Sequence, residues 1–275
     1  EWEVNYYSDS QYDGPMGKNM YHSYDITLLV DQEDGLVIMN DTTGRPMCFT
    51  TLAPGSSMFN PKEKHTLYRD RDGAYYVVDN TGMCYHFYAP QNHDEPALLR
   101  QKIDRNGFSI IFFYNDRGLL SKIVDSSNRT LDIIHNDAGL ISDIYMPHPD
   151  LVGISISAMK YEYDQDNRLI RMENAEERSN AFAWQDRLMT ARQFAEGTTF
   201  TFDYDQQGRC IAALGPQGLY SYWFEYAQNL TLATNSLGHT SKYHHYHGIV
   251  TKEVSPLGAE KISLYDDYGN LVAES

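Results

Sequence analysis

From Gly107 to the C-terminus one phrase keeps returning: a turn, a stretch of strand-like alternation, an aromatic residue, then an acidic or amide turn closed by glycine and often followed by Arg-Leu. Aligned on that aromatic, the copies fall at Tyr114, His135, Tyr163, Trp184, Tyr204, Tyr226, Tyr246 and Tyr265. Successive differences of these numbers are 21, 28, 21, 20, 22, 20 and 19 residues, and self-similarity at such a period is the signature of a repeat array. The long step contains the Pro-rich insertion Met146-Pro147-His148-Pro149.

The clearest copy shows what the unit folds into. Side chains alternate faces along a strand, so Phe200, Phe202 and Tyr204 share one face while Thr199, Thr201 and Asp203 share the other. Tyr220, Tyr222, Phe224 and Tyr226 repeat that spacing with the aromatic types that suit a half-covered pleated surface. Gly118, Gly139, Gly208 and Gly269 each stand four residues after their aligned aromatic, where a turn needs a positive φ, and neighbouring Asp and Asn side chains bond turn backbone. Each repeat is therefore expected to be a β-hairpin. A lone hairpin is marginal in water, so the hairpins are expected to pair edge to edge. Two copies depart from the pattern: Trp184 leads into a turn two residues short, Gln185-Asp186-Arg187-Leu188, and the Tyr226 copy has Leu230 where glycine is expected.

The phrases Tyr204-Asp205-Gln206-Gln207-Gly208-Arg209 and Tyr163-Asp164-Gln165-Asp166-Asn167-Arg168-Leu169 resemble the YD repeat of Rhs proteins. The likeness continues upstream in Tyr12-Asp13-Gly14-Pro15-Met16-Gly17, His22-Ser23-Tyr24-Asp25, Asp41-Thr42-Thr43-Gly44-Arg45, Leu52-Ala53-Pro54-Gly55 and Phe59-Asn60-Pro61, and Ile103-Asp104-Arg105-Asn106-Gly107 is similar to the entry phrase of the first repeat. The resemblance implies an all-β fold in which tandem hairpins form one curved or spiralling sheet, part of a hollow shell. It implies a structural wall around a C-terminal polymorphic toxin for secretion and interbacterial competition, held in the bacterial cytoplasm before type VI export and then delivered to a target cell. The implied partners are the rest of the shell, the enclosed toxin, a secretion-tip protein and a chaperone. The repeat signature then comprises Tyr114, Tyr163, Tyr204, Asp205, Gly208, Arg209, Tyr265 and Gly269. Two regions are expected, a β-rich pre-repeat segment over residues 1–92 and repeats over 93–275, with Asn92-His93-Asp94-Glu95-Pro96 as the boundary loop. In the first, turn signals at Asp34-Gly35, Thr43-Gly44, Asp72-Gly73 and Thr81-Gly82 separate alternating strands.

The chain starts at Glu1-Trp2, and neither a membrane-spanning apolar run nor a charged-then-apolar signal segment is present, so it is expected to be a piece of a longer protein. A net charge of −16 disfavours nucleic acid and anionic membrane surfaces and favours basic cargo or partners. An isolated piece is expected to self-associate through sheet edges, whose unpaired N–H and C=O groups seek partners.

Chemistry is sparse. The odd set Cys48, Cys84 and Cys210 reads as free thiols, with Cys48 and Cys84 expected to be small buried hydrophobes. Within Tyr243-His244-His245-Tyr246-His247, a continuous strand would place His245 and His247 on one face, the single candidate metal pair, but no third ligand at a recognisable spacing completes it. Divergence within a repeat, as at His135, is the competing reading. The acidic neighbours Asp164/Asp166, Glu176/Glu177 and Asp266/Asp267 fall in turns rather than across a cleft. The Asp-Pro-x-Gly-Leu motif with which shells of this kind cleave themselves has only the echo Gly215-Pro216-Gln217-Gly218-Leu219, without the aspartate. No catalytic residue and no cofactor is expected. The alternative function is a carbohydrate- or receptor-binding module, which would gather aromatics and polar groups into one local pocket.

Overall fold

The computed structural model describes residues 2–42, 44–89 and 95–275. Among them the only helical piece is the single turn Pro216–Gly218, and the rest is antiparallel strand and turn. The expected 92/93 boundary and Thr43 lie outside the described residues. By compactness the chain divides into Glu1–Arg178 and Ser179–Ser275.

In the first unit, Thr27–Asp31, Leu36–Asn40 and Pro46–Thr50 pair in succession, as do the strands from Ser56–Asn60 through His65–Arg69, Tyr75–Val78 and Cys84–Phe87 to Ala97–Ile103. Ala97–Ile103 joins the two sets, pairing Leu98 with Thr27 at one end and Leu99 with Phe87 further along. Pro46–Thr50 and Ser56–Asn60 meet through side chains, Asn60 Nδ2 donating to Cys48 O and Thr50 Oγ1 to Met58 Sδ, and the strands do not close into a barrel. From Ile103 the hairpins of the repeats follow, Ser109–Tyr114 with Leu120–Asp125, Thr130–His135 with Ile141–Pro147, and Ser155–Tyr163 with Leu169–Asn174. The second unit is a meander of ten strands from Ser179–Gln185 to Leu271–Glu274.

One turn geometry recurs through both units. The Asp205 N–H donates to Arg209 O, the Gly208 N–H returns to Asp205 O, and Asp205 Oδ1 accepts from the N–H groups of Gln207 and Arg209 at 2.9 Å each. Asp104, Asn115, Asp125, Asp164, Asn174, Asn235 and Asp266 do the same with the residues two and four further on. The device therefore closes both ends of a hairpin, not only the end after the aromatic. The four glycines picked out by spacing have φ of 72°, 85°, 77° and 81° at Gly118, Gly139, Gly208 and Gly269. Asn128, Asn167 and Glu177 hold the equivalent place at other turns with φ near 60°.

The two turn types differ in what precedes them. At six of the eight aligned aromatics the ladder slips by one residue as the chain enters the turn, between Phe113 and Tyr114, Ile134 and His135, Glu162 and Tyr163, Ala183 and Trp184, Asp203 and Tyr204, and Leu264 and Tyr265. The Tyr226 hairpin keeps its register, and the slip before Tyr246 falls between His244 and His245. Such a bulge bends the strand and raises its twist. The short turn after Trp184 is a two-residue turn in which Asp186 takes a φ of 53°. Leu230 does not stand in for a turn glycine. It pairs with Ala227 as the first residue of its own strand, across a two-residue turn in which Asn229 has a φ of 58°.

The core belongs mainly to the first unit. Residues 2–26 form a second layer of two short hairpins, Val4–Tyr6 with Met20–His22 and Asp13–Gly14 with Gly17–Lys18. Met16, Met20, Tyr21 and Ile26 of this layer are buried, as are Phe112, Leu120, Ile133, Ile141, Ile144 and Leu169 of the repeats, and Tyr24 packs against Phe112 with ring centres 5.1 Å apart. Backbone bonds fix the layer: the Ile141 N–H donates to Pro15 O at 2.8 Å and the Lys18 N–H to Asn167 O at 3.2 Å. Gly17, with a φ of 87°, lies so close to Asn167 O that an added Cβ would fall 2.5 Å from it.

Candidate functional site: the aromatic face of the repeats

The aligned tyrosines act as latches between neighbouring strands. Five of the six donate their hydroxyl to a carbonyl of the preceding repeat, Tyr114 to Leu99 O at 2.9 Å, Tyr163 to Ile141 O at 2.8 Å, Tyr204 to Met189 O at 2.7 Å, Tyr226 to Cys210 O at 2.6 Å and Tyr265 to Val250 O at 3.0 Å, whereas Tyr246 is exposed. The ring covers the sheet face while the hydroxyl satisfies the carbonyl, so the repeat needs an aromatic with an acceptor-seeking tip. Burial pushes the phenols of Tyr114 and Tyr163 above their ordinary range, which keeps them protonated donors. His135 reaches no such carbonyl, and its Nε2 is buried without a partner.

The turn residues brace the other end of the unit. Arg209 Nε donates to Asp205 Oδ2 at 2.7 Å, Arg168 Nε to Asp164 Oδ2 at 2.7 Å and Arg129 Nε to Asp125 Oδ2 at 2.7 Å. The Arg209 guanidinium also lies over the Tyr226 ring at 4.5 Å from its centre. Tyr204, Asp205, Gly208 and Arg209 thus form a strand-to-turn brace, and Tyr265 and Gly269 sit in the same geometry around Asp266.

Two arginines lie on this face, Arg209 over Tyr226 and Arg192 over the Phe182 and Phe194 rings at 5.8 and 4.3 Å, while the acidic side chains point the other way. On Thr199–Tyr204 the exposed residues are Thr201 and Asp203, and Phe200, Phe202 and Tyr204 are half-buried. Glu162 is likewise exposed between Tyr161 and Tyr163, and Glu225 between Phe224 and Tyr226. The residue two before the aligned aromatic records how well the face is covered: Phe112 is 0% exposed, Ile133 3%, Tyr161 4% and Phe182 8%, after which Phe202 and Phe224 are only half-buried. The second unit has no second layer of its own, and of the 29 buried apolar side chains among the described residues it holds only Phe182, Met189, Ala212 and Ala233.

The other chemical candidates disperse. His245 and His247 do not share a strand face: a bulge falls between His244 and His245, the strand Thr240–Tyr246 ends before His247, and His247 is exposed in the turn with a φ of 48°. The alternation rule fails there because the strand ends at Tyr246 and His247 already belongs to the turn. Among the described residues no three His, Cys, Asp or Glu side chains converge on a point. Cys48 is exposed rather than buried, because Met47 and Phe49 take the covered face of Pro46–Thr50. Cys84 does have a histidine beside it, His86 Nε2 at 3.2 Å from Sγ, yet burial pushes its thiol up to about 11 and leaves it protonated at neutral pH. Asp164 and Asp266 cap turn backbone, and Asp166 and Glu176 pair with Arg168 and Arg178.

One buried carboxyl escaped attention in the sequence. Asp25 Oδ1 accepts the Tyr12 hydroxyl at 2.8 Å, while Oδ2 is sealed from water without a partner, and burial pushes this acid up to about 7. Nearby His22, stacked on Trp2 at 4.6 Å, is pushed down to about 3 by burial and by His135. Both stand in the phrase His22-Ser23-Tyr24-Asp25, but their burial and partners follow only from the three-dimensional packing of residues 2–26.

The sequence profile of the teneurin YD-shell family matches residues 102–243, just over half of the chain. No curated protein matches the sequence. Among solved structures, the chain is similar to TcdB2-TccC3 without its hypervariable C-terminal region at 12% identity and a TM-score of 0.41, over 86% of this chain and 15% of that one. It is also similar to the Photorhabdus luminescens Tc holotoxin pore carrying a TccC3 mutation, at 10% identity and a TM-score of 0.35, over 89% of this chain and 18% of that one. The chain therefore spans less than a fifth of the length of these structures.

Proposed function

The chain belongs to the teneurin YD-shell family, and from that premise we propose that it forms a length of wall in a larger closed shell, with the aromatic face of its repeats turned toward an enclosed C-terminal toxin domain. Its role is structural: the shell keeps cargo and cytosol apart, and no residue of the chain carries out chemistry. Export of the loaded shell, with the help of a chaperone and a secretion-tip protein, would then serve competition between bacteria. The YD phrases Tyr163–Leu169 and Tyr204–Arg209 support this reading of its parent protein.

The observation that carries the proposal is the uncovered face of the second unit, where Phe200, Phe202, Tyr204, Phe224 and Tyr226 remain half-buried in the chain alone. Apolar surface of that kind is stabilised by whatever covers it, here the neighbouring wall or the cargo. The test places single cysteines on the two faces of one strand of the full-length parent, Phe202→Cys and Thr201→Cys, after Cys48, Cys84 and Cys210 are replaced by serine. A bulky polar maleimide should label position 201 at least about tenfold faster than position 202, because access to a thiol sets its rate. Equal rates in the intact parent would show that the aromatic face is open, and the wall reading would fall.

A further inference from the structure

The Pro-rich insertion has no place in the repeat geometry described so far. Its two strands, Ile141–Pro147 and Ser155–Tyr163, are longer than their neighbours, and pairing continues to Pro147 and Ser155. The His148 N–H then donates to Ile154 O at 2.8 Å, and the loop beyond is held by a side chain: His148 Nδ1 accepts from the N–H groups of Asp150 at 3.0 Å and Leu151 at 3.1 Å. His148 takes the acceptor role that Asp or Asn plays at the other turns. Gly153, with a φ of 80°, closes the loop. On this braced tip stand Leu151, Val152 and Ile154, which are 54%, 104% and 51% exposed, so Val152 touches almost nothing. A contiguous exposed apolar group on an ordered loop marks an interaction site more often than a scattered surface leucine does.

The charges around the tip narrow the partner. The tip from Pro147 to Ser155 carries one charged residue, Asp150, and neither lysine nor arginine, while nearby Asp132, Asp125 and Glu176 are already paired with Lys122, Arg129 and Arg178. Anionic membrane surfaces are recognised by unpaired basic side chains, which the tip itself lacks. A second copy of the chain would bring a further net charge of −16.

We propose that the Leu151–Ile154 tip is a docking plug for a different protein surface, an apolar groove with a basic rim, in which Leu151, Val152 and Ile154 enter the groove and Asp150 meets the rim. The plug is preorganised, so little ordering cost attends its binding. This inference does not depend on the wall reading, since the tip lies outside the repeat geometry.

The test installs benzoylphenylalanine at position 152 of the full-length parent in its producing cells and maps the photo-cross-link to a residue by mass spectrometry. The expected product joins position 152 to an apolar segment flanked by lysine or arginine in another polypeptide. Leu151→Asp and Asp150→Lys, each combined with the label, should lower its yield at least about tenfold, as removal of a central anchor or reversal of a rim charge does. Because these side chains are exposed, thermal denaturation should show the variants folded. A parallel flotation with phosphatidylserine vesicles should leave the protein in the unbound fraction. Cross-links to a second copy, vesicle binding that Leu151→Asp abolishes, or no cross-link at all would each overturn the proposal.

Discussion

The first unit and the second are built from the same repeat, yet only the first has a sealed core. At the position two before the aligned aromatic, Phe112 is completely covered while Phe202 and Phe224 are half-open. Turn chemistry and tyrosine latches are alike in both, from Asn115 and Tyr114 to Asp266 and Tyr265. The repeat is thus sufficient to make a sheet but not to make a core. A core needs a second layer, and residues 2–26 supply it in the first unit with Met16, Met20 and Tyr21.

The sharpest way to break this comparison is to truncate the same repeat position in both units. Phe112→Ala should cost about 3–5 kcal/mol, the range for a large side chain removed from a sealed core, and Phe202→Ala about half as much or less. Urea denaturation of both variants would test it, and equal losses would mean that the second unit is as well packed as the first. The next largest effect concerns the seat of the N-terminal layer. Burial pushes the Asp25 carboxyl from its ordinary 3.8 up to about 7, so the folded state holds its proton more tightly than the unfolded chain. That contribution is full below the unfolded pKa and is lost as pH rises through about 7. The wild type should therefore lose stability relative to Asp25→Asn by about 1–3 kcal/mol between pH 4 and pH 8, seen as diverging melting temperatures. Parallel curves would remove Asp25 from the account.

Smaller effects sharpen the likeness rather than the difference. Glu177 holds a left-handed turn position with a φ of 60° that glycine fills at Gly208, so Glu177→Gly should stabilise by about 1 kcal/mol while Gly208→Ala destabilises by about 1–2. Opposite signs in thermal melts would establish the common turn. Last, Tyr163→Phe and Tyr204→Phe each remove one hydroxyl-to-carbonyl bond to a buried residue, Ile141 or Met189, and should each cost about 0.5–1.5 kcal/mol. Hydrogen exchange at the facing strands would report the same latch locally.

Much of this was legible in the sequence because the repeat is a local code. Alternation marked the strand from Thr199 to Tyr204, and spacing marked Gly118, Gly139, Gly208 and Gly269 as positive-φ positions. The second turn of each hairpin was harder to see, since its left-handed place is filled by Asn128 and Glu177 as well as by glycine. The covering layer was not legible at all. Its bonds run from Pro15 to Ile141 and from Lys18 to Asn167, and no periodicity relates residues so far apart. His245 and His247 show the limit from the other side, because a strand that stops one residue early voids an inference that rests on strict alternation.

The shared turn also governs how such a chain can change length. The strand-and-turn module starting at Asp104 is followed by others starting at Asn115, Asp125 and Asn136, so the elementary building block is one strand, half of the repeat. Only every second module carries the bulged aromatic, at Tyr114, His135 and Tyr163. Gain or loss of a single module would reverse the direction of every later strand and carry the aromatic rim to the opposite edge. Gain or loss of two leaves direction and rim unchanged. Antiparallel geometry therefore imposes a parity rule on the gene: duplications and deletions survive in even numbers of modules, and the array is counted in hairpins although it is assembled from strands.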